Sequence, residues 1–246
     1  MLVANWMSSR LVSIDPSESL PQANKLMLQH GIRRLPAIDD KGKLVGIVTD
    51  RDIKQAWASD ATTLEVHELA YLLSRITIKE VMTPRPVTIN PQDTIEEAAE
   101  LMLEKKISGL PVIKADGQVI AMLTQSDIFR ALVLLTGVTK GGILFAFNLP
   151  DEPGSIKRMG DVIRSFGGRM VSILSTSDRV ADGRRQVYIR MRSVDRARLD
   201  TLRRELSKSG ELLYILDSSQ GAKELILADK AGQSGASVAE KFLSAG

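Results

Sequence analysis

Short apolar runs alternate with amphipathic helical segments over the first half of the chain, and this pattern occurs twice. Residues 7–53 align without a gap with residues 82–128, and 17 of the 47 aligned positions are identical. In each copy a helical stripe precedes two β-like apolar runs, 35–38 and 44–48 in the first copy, which a turn ending at Gly42 joins. A tandem repeat of this length indicates two copies of one supersecondary unit, each leaving an apolar face that the other covers.

Within each copy we predict the order strand, helix, strand, strand, helix. Val12 and Ile14 are assigned to a short first strand that ends at Pro16. The side chain of Ser17 is predicted to cap the following helix, with Asp93 in that role in the second copy, because a hydroxyl or carboxylate oxygen can accept from the free N–H groups of a first turn.

The segment between the copies, residues 54–76, carries leucines at helical spacing and is predicted as a helical insertion that packs on the pair. Glycine-rich residues 137–142 then mark a boundary. Residues 143–217 follow with four apolar strands and two amphipathic helices in the order β-α-β-β-α-β, which is the ferredoxin-like arrangement. Beyond Asp217 the chain turns polar and small, which predicts a loosely held tail with one helix at Val238–Leu243.

The predicted fold class is therefore mixed α/β (α+β), with tandem β-α-β-β-α repeats followed by a ferredoxin-like unit. The predicted boundaries are residues 1–57 for the first repeat, 58–77 for the insertion, 78–136 for the second repeat, 137–142 for a linker, 143–217 for the ferredoxin-like unit and 218–246 for the tail.

The amino-acid composition limits which cellular compartments and which classes of binding partner are plausible. There is no cysteine in the 246 residues, which excludes disulfides and thiolate metal sites and fits a reducing compartment. No apolar run reaches the ~18 residues of a membrane span and no signal peptide is visible, so we expect a cytoplasmic protein without a membrane partner. Residues 137–217 carry 15 Lys and Arg against 10 Asp and Glu. Without a recognition-helix or aromatic stacking motif, this excess favours a solvated helix face over a nucleic-acid partner.

A T-x-x-D motif recurs at the same point of both copies, as Thr49 with Asp52 and as Thr124 with Asp127. At a strand-to-helix junction this motif places a hydroxyl and a carboxylate beside the free N–H groups of a helix N-terminus, which attract anions. A carboxylate can accept from both hydroxyls of a ribose, so the set suits a nucleotide. The alternative is that both Asp residues are simple helix N-caps, which recurrence in an internal repeat makes less favoured.

Each copy resembles a CBS domain in its short strand ending at Pro, its Ala-x-x-Leu-Met helix, its Leu-Pro strand start and its T-x-x-D motif. Two in tandem resemble a Bateman module that covers roughly residues 1–136. The resemblance implies two clefts that bind adenosine derivatives such as AMP, ADP, ATP or S-adenosylmethionine. The residues implied to flank the base and to hold phosphate and ribose are Val12, Ile32, Thr49 and Asp52 in one cleft, and Val87, Ile107, Thr124 and Asp127 in the other.

The two copies differ where the resemblance places the meeting of the clefts, because Arg33-Arg34 corresponds to Ser108-Gly109. In such modules this position points toward the phosphates bound by the partner copy. We therefore predict that Arg33 or Arg34 neutralises the phosphates of a ligand held at Asp127, while the other cleft sees only Ser108. Arg51 is predicted as a further phosphate contact. The alternative for the Arg pair is a solvated strand end.

A second resemblance covers residues 143–217. Leu149-Pro-Asp151-Glu-Pro153-Gly154-Ser155-Ile156 is similar to the h-P-D-x-P-G-x-h signature that opens an ACT domain. It implies a loop that can bind a small amino acid, although many ACT domains only dimerise. Two CBS copies followed by ACT resemble the acetoin-utilisation AcuB-like regulatory proteins. The residues implied for an amino-acid site are Leu149, Asp151, Pro153, Gly154, Ser155 and Ile156.

No catalytic residue, metal ligand set or catalytic cofactor is predicted, since His30 and His67 are the only histidines and neither is paired with a nucleophile. The predicted function is that of a non-catalytic regulatory homodimer that senses adenine nucleotides through the CBS pair. Two alternatives stay open. One is a structural adaptor that dimerises and holds an unknown protein partner, and the other is an amino-acid sensor that works through the ACT unit.

Overall fold

The computed structural model describes residues 1–8, 10–60, 74–217 and 224–227. These fall into two compact units, Met1–Ala131 and Leu132–Gly246. Both units combine helices with strands, so the mixed α/β class is confirmed. Most of the predicted insertion (61–73) and the helix predicted at Val238–Leu243 lie outside the described residues.

The first unit contains both copies of the repeat. Its elements are α1 (Leu20–His30), β1 (Arg34–Ile38), β2 (Leu44–Thr49), α2 (Asp50–Asp60), α3 (Ile78–Val81), β3 (Thr83–Pro84), α4 (Ile95–Glu104), β4 (Gly109–Ile113), β5 (Val119–Thr124) and α5 (Gln125–Thr136). In each copy the two main strands pair as an antiparallel hairpin, β1 with β2 and β4 with β5. Both hairpins turn at a glycine with positive φ, Gly42 at +76° and Gly117 at +82°, which confirms the predicted turns.

Each copy has its own aliphatic core, and each core is completed by a segment that precedes the other copy. Val3, near the N-terminus, is fully buried in the core of the second copy beside Ile89 and Leu110. Ile78, just before the second copy, is fully buried in the core of the first beside Leu35. Since Val3 and Ile78 are 75 residues apart, they hold the same position of the repeat. The copies therefore exchange equivalent segments, which ties them into one unit.

Backbone contacts follow the same pseudo-two-fold relation. The bridge between Leu2 and Thr94 has its counterpart in the bridge between Ser19 and Thr77. The two hairpin turns also meet in a bridge that joins Lys43 to its own counterpart, Gln118. Equivalent residues can touch each other only on the pseudo-two-fold axis, so this bridge marks where the axis runs.

Two details of the repeat differ from the prediction. The first strand is reduced to a single parallel bridge in each copy, at Ile14 and at Ile89. The helices begin later than predicted, with Ser19 and Thr94 at the N-cap positions instead of Ser17 and Asp93. Thr94 is part of a capping box with Glu97, which satisfies two backbone N–H groups and fixes the start of α4.

The second unit is an antiparallel sheet with two helices. Its elements are β6 (Ile143–Pro150), α6 (Ser155–Ser165), β7 (Arg169–Thr176), β8 (Arg184–Arg192), α7 (Leu199–Ser209), β9 (Glu211–Asp217) and β10 (Glu224–Leu227). The strand order is β10-β9-β6-β8-β7, with β6 in the centre. Alternate residues of β6, including Phe145 and Phe147, are buried in the core of the unit together with Met159 of α6 and Leu202 of α7.

The C-terminal region departs from the prediction of a tail beyond Asp217. Residues 224–227 form β10, which pairs antiparallel with β9 at the edge of the sheet. The apolar run Leu225–Leu227 supplies the β-forming residues for this pairing.

Candidate functional site

The T-x-x-D motif forms the same closed arrangement in both copies. The backbone N–H and the hydroxyl of Thr49 both donate to Oδ2 of Asp52, each at 2.8 Å. Thr124 donates likewise to Oδ2 of Asp127, at 2.9 Å from its backbone N and 2.6 Å from its hydroxyl. Thr49 and Thr124 thus hold the N-cap positions, and each Asp, at the third helical position, accepts from its Thr as in a capping box, so neither Asp is the N-cap residue that the alternative interpretation proposed. The Thr groups donate only to Oδ2, so this arrangement leaves Oδ1 of each carboxylate available for another hydrogen bond.

The second carboxylate oxygen distinguishes the two motifs. Oδ1 of Asp127 accepts from Nη1 of Arg130 at 2.8 Å. Among the described residues, Oδ1 of Asp52 has no such partner, and the residue equivalent to Arg130 is Gln55. Asp127 is also the more buried of the two, with 8% of its surface exposed. The carboxylate of Asp127 is therefore ion-paired and buried, whereas that of Asp52 is less buried and has a free Oδ1 among the described residues.

Arg34 crosses from the first copy to the second. Its Nη2 donates to the Ser108 hydroxyl at 2.6 Å. Its guanidinium lies against Gly109, where a Cβ would overlap it. Burial lowers the pKa of the Arg34 guanidinium, an effect that the nearby carboxylates of Asp50 and Asp127 oppose. A half-buried cation is therefore placed near the Asp127 junction, with one donor on Ser108.

The other two predicted arginines are exposed. The Arg33 side chain has no hydrogen bond or ion pair among the described residues, and its carbonyl accepts from the Asp50 backbone N at 3.0 Å, which joins β1 to the start of α2. Arg51 is exposed on the first turn of α2 and also lacks a described side-chain partner. Of the predicted pair Arg33 and Arg34, only Arg34 is brought to the second copy.

The four apolar residues predicted to flank a base occupy matching places. Val12 and Ile32 are half-buried and pack against the core of the first copy. Val87 and Ile107 do the same on the core of the second copy. A half-buried aliphatic side chain keeps an apolar surface available, which is what contact with a planar base requires.

The predicted loop of the second unit lies between β6 and α6. Gly154 has φ of +87°, a conformation that favours glycine, and Ser155 is 2% exposed with no described hydrogen-bond partner for its hydroxyl. Asp151 forms an ion pair with Nε of Arg185 at 3.1 Å. Leu149 is buried in the core, so it supports the loop from within the unit. Pro153 is exposed and Ile156 is half-buried against the same core.

Sequence reasoning overlooked two features of the site, the residue Arg130 and the contact of Arg34 with Gly109. The signal for Arg130 was available, because an opposite charge three residues from Asp127 lies on the same helix face. The signal for Gly109 was its alignment with Arg34, but which of two neighbouring arginines would lie over it depends on side-chain direction. Among the described residues no group of three or more His, Cys, Asp or Glu side chains could hold a metal ion. None of the described helices is long and apolar enough to cross a membrane.

Relatives of this chain share its repeat region. The CBS domain family matches residues 3–59 and 78–134. A CBS domain-containing protein of Dictyostelium discoideum is 35% identical over 133 residues, which cover 54% of this chain and 92% of that protein. Inosine-5'-monophosphate dehydrogenase of Korarchaeum cryptofilum is 35% identical over 119 residues, which cover 48% of this chain but only 22% of that enzyme.

Three solved structures align with about half of the chain. The CBS domain pair of protein MJ0100, in complex with 5'-methylthioadenosine and S-adenosyl-L-methionine, is 30% identical, with 54% of this chain and 95% of that chain covered and a TM-score of 0.47. Arabidopsis thaliana CBSX2 in complex with AMP is 33% identical, with 55% and 98% covered and a TM-score of 0.46. A putative acetoin utilization protein (AcuB) from Vibrio cholerae is 26% identical, with 57% and 97% covered and a TM-score of 0.49.

The predicted pair of CBS domains is confirmed by the two family matches, which fall on the two copies of the repeat. With 35% identity to a relative that it covers almost completely, the chain belongs to the CBS domain family.

Proposed function

We propose that this protein is a non-catalytic regulatory protein whose CBS pair binds adenosine derivatives in two clefts. One cleft is centred on Thr49 and Asp52, the other on Thr124 and Asp127. The observation that carries the proposal is the recurrence of the same Thr–Asp geometry at both strand-to-helix junctions. In each, the Thr uses Oδ2 alone, which leaves Oδ1 for ribose hydroxyls, in competition with Arg130 at Asp127, while the adjacent helix N-terminus favours a phosphate.

The ligand class follows that of the relatives. MJ0100 was solved with 5'-methylthioadenosine and S-adenosylmethionine, and CBSX2 with AMP. Both share about a third of their aligned sequence with this chain, at 30% and 33% identity. We therefore carry the adenosine group over to this protein, with AMP, ADP, ATP and S-adenosylmethionine as candidates. Val12 and Ile32 would flank the base in one cleft, and Val87 and Ile107 in the other.

The two clefts are proposed to be unequal. Arg34 lies on the side of Asp127, so a ligand there would have a guanidinium beside its phosphates. The residues of the second copy that correspond to Arg33 and Arg34 are Ser108 and Gly109, so the Asp52 cleft would receive no cation from that copy. The Asp127 cleft should therefore prefer nucleotides with more phosphate charge, whereas the Asp52 cleft should bind them more weakly or prefer a less charged ligand. Arg51 is proposed as an additional phosphate contact in the Asp52 cleft, so Arg51→Ala should weaken nucleotide binding there.

Titration calorimetry of the full-length protein tests this proposal. ATP, ADP, AMP and S-adenosylmethionine are titrated separately at matched ionic strength. We expect at least one of them to bind. Asp52→Ala and Asp127→Ala should each remove part of this binding, because each variant disables one of the two clefts. A structural adaptor would give no heat with any of the four at millimolar concentration, and that outcome would refute nucleotide sensing.

For the second unit we propose an ACT domain that makes the protein a cytoplasmic homodimer and presents the nucleotide signal to a protein partner. Support comes from the P-D-x-P-G signature at the β6–α6 loop and from the order of its elements and strands. The proposed domain covers residues 143–217, after a linker at 137–142, and is extended by the edge strand β10 at Glu224–Leu227. Sedimentation equilibrium of the full chain checks the assembly, and a monomer over the whole concentration range would contradict it.

Amino-acid sensing is a second candidate function, favoured by one observation in the same loop. The Ser155 hydroxyl is buried beside the N-terminus of α6 without a described partner, so it could donate to or accept from a small ligand. Thermal shift with a panel of free amino acids tests this function. A stabilising amino acid whose effect is lost in Gly154→Val would support it, and no shift with any amino acid would rule it out.

A further inference from the structure

Asp127 already has a cationic partner in the place where the proposed ribose would bind. Its Oδ2 is used by the N–H and hydroxyl of Thr124, and its Oδ1 by Arg130 at 2.8 Å. A carboxylate has about four lone-pair positions, so at most one remains for a ligand here. Asp52 keeps Oδ1 without a described partner, and a neutral Gln55 takes the place of Arg130.

The Arg130 side chain can leave this position at small cost. Its side chain is 66% exposed, whereas that of Asp127 is only 11% exposed. An exposed arginine in a pair three residues apart on one helix contributes little to stability, because water and salt screen it and its side chain loses rotamer freedom in the pair. The ion pair is therefore a contact that a ligand can replace, while the carboxylate itself stays fixed by the Thr124 cap.

We propose that Arg130 is a displaceable counterion that determines specificity in the Asp127 cleft, selecting phosphorylated over neutral adenosine ligands. This inference rests on the proposed nucleotide binding. A ribose that takes Oδ1 displaces the guanidinium from its carboxylate. If the ligand carries phosphates, the guanidinium exchanges one anion for another. If the ligand is a neutral nucleoside, the guanidinium loses its partner, so binding is weaker.

The charges around Asp127 support the same selection. Arg34 is the second cation near this carboxylate, and its Coulombic contribution there is favourable. With ribose on the carboxylate, Arg130 would be released toward the phosphate chain, while Arg34 would remain on Ser108 beside it. The equivalent positions in the other cleft are Gly109 and Gln55, which carry no charge. At these two positions the Asp127 cleft has a cation and the Asp52 cleft has none, whereas at Arg51 and Ser126 the order is reversed.

The test compares ATP with adenosine by titration calorimetry. The reference is the full-length protein with Asp52→Ala, so that only the Asp127 cleft binds. Arg130→Gln, which copies Gln55 of the first repeat, is expected to tighten adenosine and weaken ATP, lowering the ATP-to-adenosine affinity ratio by about two- to fivefold, as expected for an exposed charge pair. Arg130→Lys should keep most of the ratio, because it retains the charge.

A second variant, placed in the first copy, shows whether the effect of Arg130→Gln comes from the charge or from a structural change in the second copy. In an Asp127→Ala reference, Gln55→Arg should raise the ATP-to-adenosine ratio of the Asp52 cleft by a similar factor. If the reference binds ATP and neither Arg130→Gln nor Gln55→Arg changes the ratio by more than twofold, the inference is wrong while nucleotide binding stands. If the reference proteins bind neither ligand, the proposed function fails at these clefts and the inference fails with it.

Discussion

Arg34 and Gly109 hold the same position in the two copies of the repeat, and the Arg34 guanidinium lies where a Gly109 side chain would be. Equivalent residues meet only at the pseudo-two-fold axis, and two side chains of arginine size would overlap there. The site is therefore asymmetric for a steric reason: one copy can place a long cation at the axis only if the other has none. The hydrogen bond from Arg34 to Ser108, the residue before Gly109, holds the Arg34 side chain over the second copy of the repeat.

Gly109→Ala should displace Arg34 and weaken ATP binding. The added methyl group overlaps the end of the flexible Arg34 side chain, so the guanidinium must move away from Ser108, at little cost in stability. Titration calorimetry with ATP measures the effect. Gly46→Ala is the matched control, because its Cβ would overlap only the flexible Met82 side chain; it should lower stability but leave ATP affinity within about twofold. Equal losses of affinity in both variants would contradict this role of Gly109.

Arg34→Ala should weaken ATP by about tenfold or more and adenosine far less. The expected magnitude is that of a charge-assisted hydrogen bond, about 1.5–3 kcal/mol, and it should shrink at high salt. Arg33→Ala serves as the control, since its exposed side chain has no described contact with the second copy. Both variants are titrated with ATP and with adenosine at low and high salt. A larger effect from Arg33→Ala would mean that the wrong arginine of the pair has been assigned.

The two roles of Asp127 can be separated by two substitutions. Asp127→Ala removes the cap on the Thr124 N–H and should cost about 0.5–2 kcal/mol in the free energy of unfolding, in addition to losing the ligand. Asp127→Asn keeps an oxygen that can cap Thr124 but removes the charge and the Arg130 ion pair. It should therefore stay close to the parent in thermal stability while binding nucleotide more weakly. Full ligand affinity in Asp127→Asn would show that the carboxylate charge has no part in binding.

Ile78→Ala should destabilise the first copy of the repeat, although Ile78 precedes the second. Its fully buried side chain belongs to the core of the first copy, and truncation of such a residue costs about 2–5 kcal/mol. Val3→Ala should act on the second copy in the same way. Native-state hydrogen exchange distinguishes them, because amides of β1 and β2 should lose protection in Ile78→Ala. Protection lost first in β4 and β5 would contradict the exchanged packing.

Local patterns in the sequence predicted the hairpins, their glycine turns and the Thr–Asp junctions, because these depend on residues a few positions apart. The exchange of Val3 and Ile78 between cores was not predicted, since periodicity reports that a residue is apolar but not which of two similar cores receives it. The β10 strand was missed for a related reason. Its apolar run is only three residues long and forms a strand through pairing with β9. Arg130 was visible as a charge three residues from Asp127, but its partner became evident only in three dimensions.

Arg190 is a buried cation with no ion-pair partner among the described residues, and its removal should stabilise the second unit. It lies on β8, is 6% exposed, and its Nε and Nη1 have no hydrogen-bond partner among the described residues. Burial lowers the pKa of the Arg190 guanidinium, which reflects the cost of holding its charge there. Arg190→Met keeps the aliphatic stem and removes that cost, so we expect a gain of about 1–2 kcal/mol in the free energy of unfolding.

Hydrogen exchange of the β8 amides measures the effect of Arg190→Met in the unit that contains it, independently of the CBS pair. The matched control is Arg192→Met, two residues along the same strand, where the arginine is exposed and the change should stay within about 0.5 kcal/mol. Slower exchange in Arg190→Met alone is the expected result. Faster exchange would mean that the Arg190 guanidinium makes a contact whose stabilising energy exceeds the cost of burying its charge.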